Sequence, residues 1–437
     1  MQPSLLLTLA LSLTLAAGCS PAGASLDSGR PVDDATTQDA ASIDAFVIDS
    51  PDAVAIDAST IDTASDAPAS TTVLRIVYPA GHTITVRGSA APLSWTIGMR
   101  ATDVGGGNYE IRLQGLSGTI EFKPLLDDTT WSRGPNYHVD AGDTIEIAPH
   151  FTATSGRYET LLTWTSTLLG NSRPVYAYLP AAYDENTSAH FPVLYMHDGQ
   201  NLFDSRLAFG GNEWMVDETM TTAGESGRCP NAALSCSSDG DCGGARCDTW
   251  TDTIVIGVGN TSARIYEYTP TTDPGTPGGG GGDAYLHALI TELKPMLDTM
   301  LRTRTTRADT AMMGSSLGGL LSAHAGVANS DTFGTIGAMS PSTWWSSREI
   351  IAEVMGIPSH TSRALRVYVD SGDAGPSNDD VTDTADLAAA YRGVGYVEGT
   401  DFHYTVRAGA QHSEVYWALR LPSALTFMLA PRERHVH

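Results

Sequence analysis

The spacing of apolar residues divides the chain into four stretches. Residues 5–17 form one apolar run, which is too short to span a bilayer because about 20 residues are needed for that. Residues 20–70 contain few apolar clusters and repeat the phrases Ile-Asp-Ala and Asp-Ala. Beyond them, residues 72–150 alternate apolar and polar positions in short runs, and from about residue 160 strand-like apolar runs alternate with helical stretches.

The short alternating runs predict a small β-sandwich over residues 72–153. The runs 83–87, 109–113 and 144–147 have the period of two that is typical of half-buried strands. Gly, Pro and Asp turns separate them, as in sandwich domains of this length. The pattern therefore favours an all-β domain that precedes the rest of the chain.

A larger α/β domain is predicted for residues 154–437. Alternation of strands and helices favours a mainly parallel sheet that helices cover on both faces. The glycine run 278–282 is not followed by a Lys-Ser or Lys-Thr pair, so it does not predict a phosphate-binding loop. The predicted strands are 175–179, 193–196, 253–258, 310–313, 335–339, 365–369 and 402–406, and the predicted helices are 285–301, 317–328, 384–391 and 413–428.

The charge of the chain narrows its possible partners. Its 437 residues carry 25 basic and 50 acidic side chains, a formal net charge of −25, which excludes nucleic-acid binding through bulk charge. Residues 20–70 contain ten Asp and only one Arg. A stretch so acidic and almost free of aromatic residues cannot bury enough apolar area to offset its ordering entropy. Residues 19–71 are therefore predicted to be a disordered acidic linker that acts as a spacer.

The N-terminus has the features of an export signal. Residues 15–19, Leu-Ala-Ala-Gly-Cys, follow the apolar run and resemble a bacterial lipoprotein cleavage box. The resemblance implies a signal peptide at 1–18 and a lipid anchor on Cys19, and Ser20 after it favours sorting to the outer membrane. It predicts an exported, membrane-anchored protein that faces the periplasm or the cell surface. The alternative is an ordinary cleaved signal with an incidental cysteine.

The other four cysteines lie close together inside the α/β domain. In an exported protein such a cluster predicts two disulfides, whose pairing the sequence leaves open. The spacing contains no Cys-x-x-Cys pair, so zinc binding is less favoured. Segment 228–248, rich in Ser, Gly and Asp, is predicted to be a surface insertion that disulfides hold together. Its cysteines are Cys229, Cys236, Cys242 and Cys247.

The strongest catalytic signal is the segment 314–318, Gly-Ser-Ser-Leu-Gly. It follows a predicted strand and opens a predicted helix, which is the setting of the nucleophile elbow in α/β hydrolases. The nucleophile on such a turn is strained, and its neighbours two residues to either side must be small. Only Ser316 has glycine at both offsets, so Ser316 rather than Ser315 is the candidate. The helix N-terminus offers the Leu317 N–H to a developing oxyanion.

A serine hydroxyl needs a base that removes its proton, and α/β hydrolases place a histidine last in the chain order. His412 lies between the last predicted strand and the last predicted helix, which puts it at the same sheet edge as Ser316. His403 lies inside the predicted strand and is interpreted as a packed or surface residue. His197, beside the expected oxyanion loop, is the third candidate.

Four further phrases resemble one esterase family. With the two catalytic segments they cover most of the predicted α/β domain, and they are similar to the α/β-hydrolase family that includes enterochelin esterases, esterase D and bacterial feruloyl esterases. The resemblance implies a second oxyanion N–H from Gly199 or Gln200. It also implies that Trp214, Arg264 and Tyr268 line or brace the pocket, with core packing or loop anchoring as the alternative. The phrases lie at 195–203, 212–214, 264–270 and 292–298.

The catalytic acid is expected on the loop after the sixth predicted strand. Many members of that family have an acid three residues after the loop's glycine, where this chain has Gly375. An insertion would move the acid to Asp379, which is the first candidate. Asp373 is the second and Asp380 the third, whereas Asp370 at the strand end is interpreted as structural.

The first domain carries a separate resemblance. The segments 87–95 and 119–131 resemble immunoglobulin-like domains that precede many carbohydrate-active enzymes and siderophore esterases. In the glycan-binding members, exposed tryptophans stack on sugar rings, so Trp95 and Trp131 are the candidates here. The favoured alternative is that both tryptophans fill the core of the sandwich.

These observations together predict an exported serine esterase that acts through an acyl-enzyme and uses neither a metal nor an organic cofactor. The expected substrates are acylated carbohydrates or plant-wall esters of the feruloyl or acetyl type. A siderophore esterase is the close alternative. An alternative of another class is a catalytically silent surface protein that binds glycans, because Gly375 stands where relatives have an acid. The oligomeric state stays open.

Overall fold

The computed structural model describes residues 70–229, 235–247, 249–363 and 365–430. The predicted signal peptide, the lipidation site Cys19 and the predicted linker up to residue 69 lie outside these ranges. Within them, no helix combines the length and apolar character that a membrane span requires.

Two β-sheets that share one core form the first domain. One sheet has the strand order β4-β5-β1-β9, and the other has the order β3-β2-β6-β7, with β8 paired to β6. Alternate residues of β5, among them Tyr109 and Ile111, are buried together with Ile120 and Phe122 from β6. The strands are β1 (Thr71–Val77), β2 (Ile84–Gly88), β3 (Met99–Arg100), β4 (Thr102–Gly105), β5 (Asn108–Gln114), β6 (Thr119–Leu126), β7 (Thr130–Trp131), β8 (Tyr137–Asp140) and β9 (Thr144–Ile147).

Trp95 and Trp131 lie outside this core, so the expectation that they fill it is wrong. Their side chains are 37% and 39% exposed, and their ring centroids are 6.4 Å apart. The guanidinium of Arg87 lies 5.1 Å from the Trp131 ring. Period-two patterning locates the strands, but it does not assign a face to an aromatic residue in a turn or on a two-residue strand such as β7. The relation of this domain to immunoglobulin-like domains stays a prediction.

An eight-stranded sheet forms the centre of the second domain, in the order β10-β11-β15-β12-β18-β19-β20-β21. The strands from β15 to β21 run parallel, whereas β10, β11 and β15 pair antiparallel. This arrangement confirms the predicted α/β-hydrolase class. The strands are β10 (Arg157–Ser166), β11 (Asn171–Leu179), β12 (Val193–His197), β15 (Ile254–Val258), β18 (Thr310–Ser316), β19 (Thr335–Pro341), β20 (Arg366–Gly372) and β21 (Phe402–Arg407), with the small pairs β13 (Gly227–Arg228) and β14 (Ser235–Cys236), and β16 (Thr272–Asp273) and β17 (Thr276–Gly279).

Helices cover both faces of this sheet because its strands are apolar on both sides. In β12, Val193 and Tyr195 belong to one buried cluster and Leu194 and Met196 to the other. The helices are α1 (Ala181–Glu185), α2 (Val216–Glu225), α3 (Arg264–Glu267), α4 (Gly282–Ala288), α5 (Lys294–Met300), α6 (Leu317–Ala328), α7 (Trp345–Met355), α8 (His360–Arg363), α9 (Val381–Gly393) and α10 (Glu414–Met428), and a π-helical turn (Leu289–Leu293) joins α4 to α5.

The cysteine-rich insertion packs against the first domain. Disulfides join Cys229 to Cys242 and Cys236 to Cys247, a pairing that the sequence left open. The Nε2 atom of His138 on β8 lies 2.9 Å from Asp239 Oδ1 of the insertion, and Asn136 N–H donates to the Ser237 carbonyl. The insertion therefore bridges the two domains.

Candidate active site

The strand-to-helix turn at Ser316 is strained. Ser316 ends β18 immediately before α6, and its φ of 56° and ψ of −124° lie where non-glycine residues are rare. A Cβ on Gly314 would lie 2.7 Å from the carbonyl carbon of Gly318, and a Cβ on Gly319 would lie 2.9 Å from the Met339 oxygen. The chain approaches itself so closely here that both positions require glycine. The turn therefore holds the Ser316 side chain at the carboxyl edge of the sheet.

Ser316 contacts a second serine from the neighbouring strand. Its Oγ lies 3.3 Å from Ser342 Oγ, and the Ser342 N–H donates to the Ser316 carbonyl at 3.0 Å. Ser342 directly follows β19, which pairs in parallel with β18. Parallel strands place their carboxyl ends at one edge, so a polar residue just after β19 is expected near Ser316. Ser342 was nevertheless not among the predicted site residues.

His412 and Asp379 form a hydrogen-bonded pair at the same edge. The distance from His412 Nδ1 to Asp379 Oδ1 is 2.6 Å. The carboxylate is fully buried, whereas the imidazole is 31% exposed. Burial acts to raise the pKa of Asp379, but hydrogen bonds from His412, Ser340 and the Gly372 N–H outweigh it and hold that pKa below its ordinary value. Asp379 is therefore an ionised partner that can orient the imidazole.

Ser340 connects this pair to the turn at Ser316. Its hydroxyl donates to Asp379 Oδ2 at 2.7 Å, and it lies on β19 two residues before Ser342. Asp379 follows β20, and His412 follows β21. The structure thus brings Ser316, Asp379 and His412 to one edge of the sheet, where β18, β20 and β21 end.

The other candidate acids occupy different positions. Asp373 accepts a hydrogen bond from the Gly409 N–H at 2.6 Å and so links two loops. Burial raises the pKa of Asp380. Asp370 is fully buried and accepts from Tyr368 Oη at 2.9 Å. Among these carboxylates, the structure gives Asp379 the hydrogen bond to His412.

The two alternative histidines lie in other environments than His412. His403 on β21 contacts Glu398 at 2.9 Å. His197 is buried beneath the elbow, where its ring packs on Gly314 and Gly318. Burial lowers the pKa of His197 to about 4, and neither ring nitrogen has a hydrogen-bond partner among the described residues. His197 is therefore a neutral packing residue.

The loop after β12 is clamped by the side chains that the family resemblance singled out. Asp198 has a left-handed backbone (φ 55°), and Arg264 binds its carboxylate with two hydrogen bonds of 2.8 Å. The Asp198 N–H donates to Tyr268 Oη at 3.2 Å. A Cβ on Gly199 would lie 2.4 Å from the Gly257 carbonyl carbon, and Gln200 accepts from the Asn260 N–H. The backbone that carries Gly199 and Gln200 is therefore rigid.

Trp214 and Tyr268 brace the site from beneath. Tyr268 is fully buried, and Trp214 is 2% exposed. Trp214 packs on Trp417, whose ring lies edge-on to His412 with a centroid distance of 5.0 Å. Of the three predicted pocket residues, Arg264 is the one whose side chain remains partly exposed, at 29%.

Exposed apolar side chains lie in the segments that follow four strands of the central sheet. Trp344 is 41% exposed and lies two residues after Ser342, and Phe209 in the segment between β12 and α2 is 76% exposed. The exposed side chains follow four strand ends around β18: Leu207, Phe209 and Met215 after β12, Ile265 and Tyr266 after β15, Trp344 after β19, and Val415 and Leu419 after β21.

Three groups of side chains in the described residues have metal-ligand spacing. The cysteines of the first group form disulfides. In the second group, His138 is hydrogen-bonded to Asp239, and the Asp239 N–H donates to Glu121. The third group is Glu213, Asp217 and Glu218, where burial and the charge of Glu218 raise the pKa of Asp217 to about 7. None of the three groups includes Ser316, Asp379 or His412.

A serine on a strained turn after a central parallel strand, with a histidine–aspartate pair at the same edge of the sheet, is typical of serine hydrolases of the α/β-hydrolase fold. The family described as "Putative esterase" matches residues 166–428. Because this match covers more than half of the chain, the protein belongs to that family, as the sequence predicted.

Individual relatives are similar over part of the chain. The uncharacterized protein YbbA of Bacillus subtilis is 28% identical over 200 residues, which are 45% of this chain and 66% of YbbA. A siderophore enterobactin esterase of Emericella nidulans is 31% identical over 121 residues, 24% of this chain and 40% of that protein. The chain thus matches less than two thirds of the length of these curated relatives.

Solved structures with a similar fold include a ferulic acid esterase, at 20% identity and a TM-score of 0.45. It matches 63% of this chain and 98% of its own. The enterobactin esterase FES from Shigella flexneri, solved with enterobactin, is 14% identical with a TM-score of 0.43. That match covers 79% of this chain and 87% of FES.

Proposed function

We propose that the protein hydrolyses carboxylic esters with Ser316 as nucleophile, His412 as base and Asp379 as the acid that orients it. The observation that carries this proposal is the 2.6 Å contact between His412 Nδ1 and Asp379 Oδ1, at the edge where the Ser316 turn is strained. This contact fixes the tautomer in which Nδ1 carries the proton, so Nε2 is the basic nitrogen.

The reaction follows from these roles. Ser316 Oγ attacks the ester carbonyl, and His412 Nε2 takes the hydroxyl proton. The tetrahedral oxyanion accepts hydrogen bonds from the Leu317 N–H and from the N–H of Gly199 or Gln200. As the intermediate collapses, the imidazolium gives its proton to the leaving alcohol, and an acyl-enzyme remains on Ser316. Water, deprotonated by His412, then releases the carboxylic acid and restores the serine.

Purified protein and its Ser316→Ala variant test this assignment. The wild type should hydrolyse a neutral aryl acetate, and the variant should lose at least about 10³-fold in kcat because the nucleophile is missing. Ser315→Ala is the matched control, since it removes the neighbouring hydroxyl and should change kcat only a few-fold. Equal rates for wild type and Ser316→Ala would end the assignment.

The proposed substrates are acylated sugars or plant-wall esters, and exposed tryptophan side chains support this choice. The paired Trp95 and Trp131 rings offer a face on which a sugar can stack, and Trp344 beside Ser342 offers an apolar surface near the nucleophile. A panel of acetyl, feruloyl and catecholate esters measures the acyl preference. Affinity of the purified protein for soluble glycans, compared with a Trp95→Ala/Trp131→Ala variant, measures the contribution of the first domain.

Siderophore-ester hydrolysis is the second candidate. It is supported by the relatives whose names specify siderophore esterases, at 31% and 33% identity over 121 and 90 residues. A preference for catecholate esters over feruloyl esters would favour it. A catalytically silent glycan-binding protein is the candidate of another class, and failure of a fluorophosphonate to label Ser316 would favour that one.

Export and lipid anchoring at Cys19 belong to the same proposal, and they rest on the sequence around the cleavage box. The full chain expressed in a bacterial host should fractionate with membranes. A Cys19→Ala variant should move to the soluble fraction, and an unchanged distribution would contradict the anchor.

A further inference from the structure

A buried guanidinium lies on the far side of Asp379 from His412. Arg420 on α10 has a side chain that is only 3% exposed, and its Nη1 lies 3.4 Å from Asp379 Oδ2. Its Nη2 donates to the Ser340 hydroxyl, and its Nε lies 3.1 Å from Asp370 Oδ2. One cation therefore contacts two fully buried carboxylates and the hydroxyl that itself donates to Asp379.

The charged and titratable groups around Arg420 come from three elements besides α10. Strand β20 contributes Asp370 and Tyr368, which are hydrogen-bonded to each other. The segment after β20 contributes Asp379 and Asp380, and the loop before α10 contributes His412. Glu414, at the start of α10, faces His412, Asp198 and Arg264. Within this set of described residues, Arg420 is the permanent cation that contacts both buried carboxylates.

The two carboxylates respond differently to their surroundings. Burial raises the pKa of Asp370, even though Arg420 and Tyr368 act to lower it. The pKa of Asp379 is instead held below its ordinary value by its hydrogen bonds to His412, Ser340 and Gly372. The pair thus combines a carboxylate whose pKa is raised with a carboxylate whose pKa is lowered. Arg420 contacts both carboxylates, and a neighbouring cation favours the ionised form of each.

We propose that Arg420 is a positioning residue for ester hydrolysis, which holds Asp379 ionised with Oδ1 toward His412 and thereby sets the lower pH limit of activity. This inference rests on the function proposed above. It assigns a role in catalysis to a side chain that contacts neither the substrate nor the nucleophile.

Loss of the Arg420 charge should change the protonation of Asp379 and of His412 in the same direction. The active form needs an ionised Asp379 and a neutral His412 imidazole. Removing a nearby cation favours the protonated form of each group, so both effects require a higher pH for activity. The acidic limb of the kcat profile should therefore move to higher pH. A residue that only supported folding would lower the amount of active protein without moving that limb.

The pH profile of kcat for Arg420→Met tests the inference. The acidic limb should move up by about one pH unit, the size of change that loss of an opposite charge at 4–6 Å produces. Below the limb, kcat should fall about tenfold relative to wild type. Arg420→Lys keeps the charge and should keep the limb near its wild-type position. Arg366→Met is the matched control, because Arg366 begins β20 at the opposite edge of the sheet and donates to the Phe427 and Ala430 carbonyls.

A second variant keeps the test decisive if Arg420→Met does not fold. Asp370→Asn preserves volume and removes the carboxylate that competes for Arg420, so its acidic limb should move to lower pH. The rate of fluorophosphonate labelling at Ser316, followed against pH, provides a readout that depends on no particular substrate. A soluble Arg420→Met with an unshifted limb, or Asp370→Asn with an unshifted limb, would overturn the inference. Absence of turnover and labelling in wild type would instead overturn the proposed function.

Discussion

Two histidines of the α/β domain hold carboxylates in different ways. His412, in the loop after β21, contacts Asp379 through Nδ1 and is partly exposed. His324, on α6, is buried and has a carboxylate on each nitrogen, with Glu353 at 2.7 Å from Nδ1 and Asp283 at 2.8 Å from Nε2. A ring with both nitrogens occupied has none left to accept a proton from a serine. A histidine with one bound carboxylate keeps a nitrogen that can act as a base, whereas a histidine with two bound carboxylates does not.

The elements on which these partners lie explain the difference. Glu353 belongs to α7 and Asp283 to α4, so His324 ties three helices together on one face of the sheet. Burial acts to lower the pKa of His324, but Glu353 and Asp283 outweigh it and raise that pKa above its ordinary value. The His412 pair lies at the carboxyl edge of the strands, where the imidazole is 31% exposed.

The largest effect should separate the two histidines by function. His412→Ala should lower kcat for an aryl acetate by about 10⁴-fold, because the base is lost while the nucleophile remains. His324→Ala should change kcat only a few-fold, but it should lower the free energy of unfolding by about 1–3 kcal/mol, since two carboxylates lose their donor. Steady-state kinetics and urea unfolding of both variants measure this. A larger loss of kcat in His324→Ala than in His412→Ala would reverse the assignment.

A smaller effect should separate the carboxylates of the loop after β20. Asp379→Asn should lower kcat by about 10³–10⁴-fold, because an amide in this position stabilises the wrong imidazole tautomer. Asp373→Asn should stay within a few-fold of wild type, since its carboxylate accepts a hydrogen bond from Gly409 rather than from the imidazole. If Asp373→Asn were the more damaging change, the acid would have to be reassigned.

The smallest effect concerns the pH dependence of stability. The raised pKa of His324 contributes stability that is fully present below its unfolded value of about 6.5 and is lost as pH rises through the folded pKa. Wild type should therefore lose stability between pH 6 and pH 9 that His324→Gln does not lose. Urea midpoints of both proteins at the two pH values measure the difference. Parallel pH dependences would show that the two carboxylates leave the proton affinity of His324 unchanged.

Most residues of the candidate site could be predicted from the sequence, because local patterns identify them. The glycines of segment 314–318 identify the turn at Ser316, and the position of His412 between a strand and a helix identifies its edge. The sequence left three candidate acids, with Asp379 first, because residues in a loop have no periodicity that would single out one of them. The structure gives it the contact with His412, and the roles of these residues stay a proposal that kinetics must test.

Other features depend on contacts between segments that are distant in the chain. Arg420 interrupts the apolar face of α10, which was its one sequence signal, and its partners on β19 and β20 follow only from the packing of that helix. The antiparallel strand β10 was not predicted, because its alternation of exposed and buried residues is weak. Trp95 and Trp131 were expected in the core but lie at the surface.

The sequence by itself determined the class of fold and the turn at Ser316, because the alternation of strands and helices and the glycine spacing of that turn are local patterns. Tertiary structure alone decided which cysteines pair, which aspartate contacts His412 and which arginine contacts Asp379. Those choices depend on distances between side chains that lie 11 to 41 residues apart in the chain, and such distances are fixed only when the segments pack against one another.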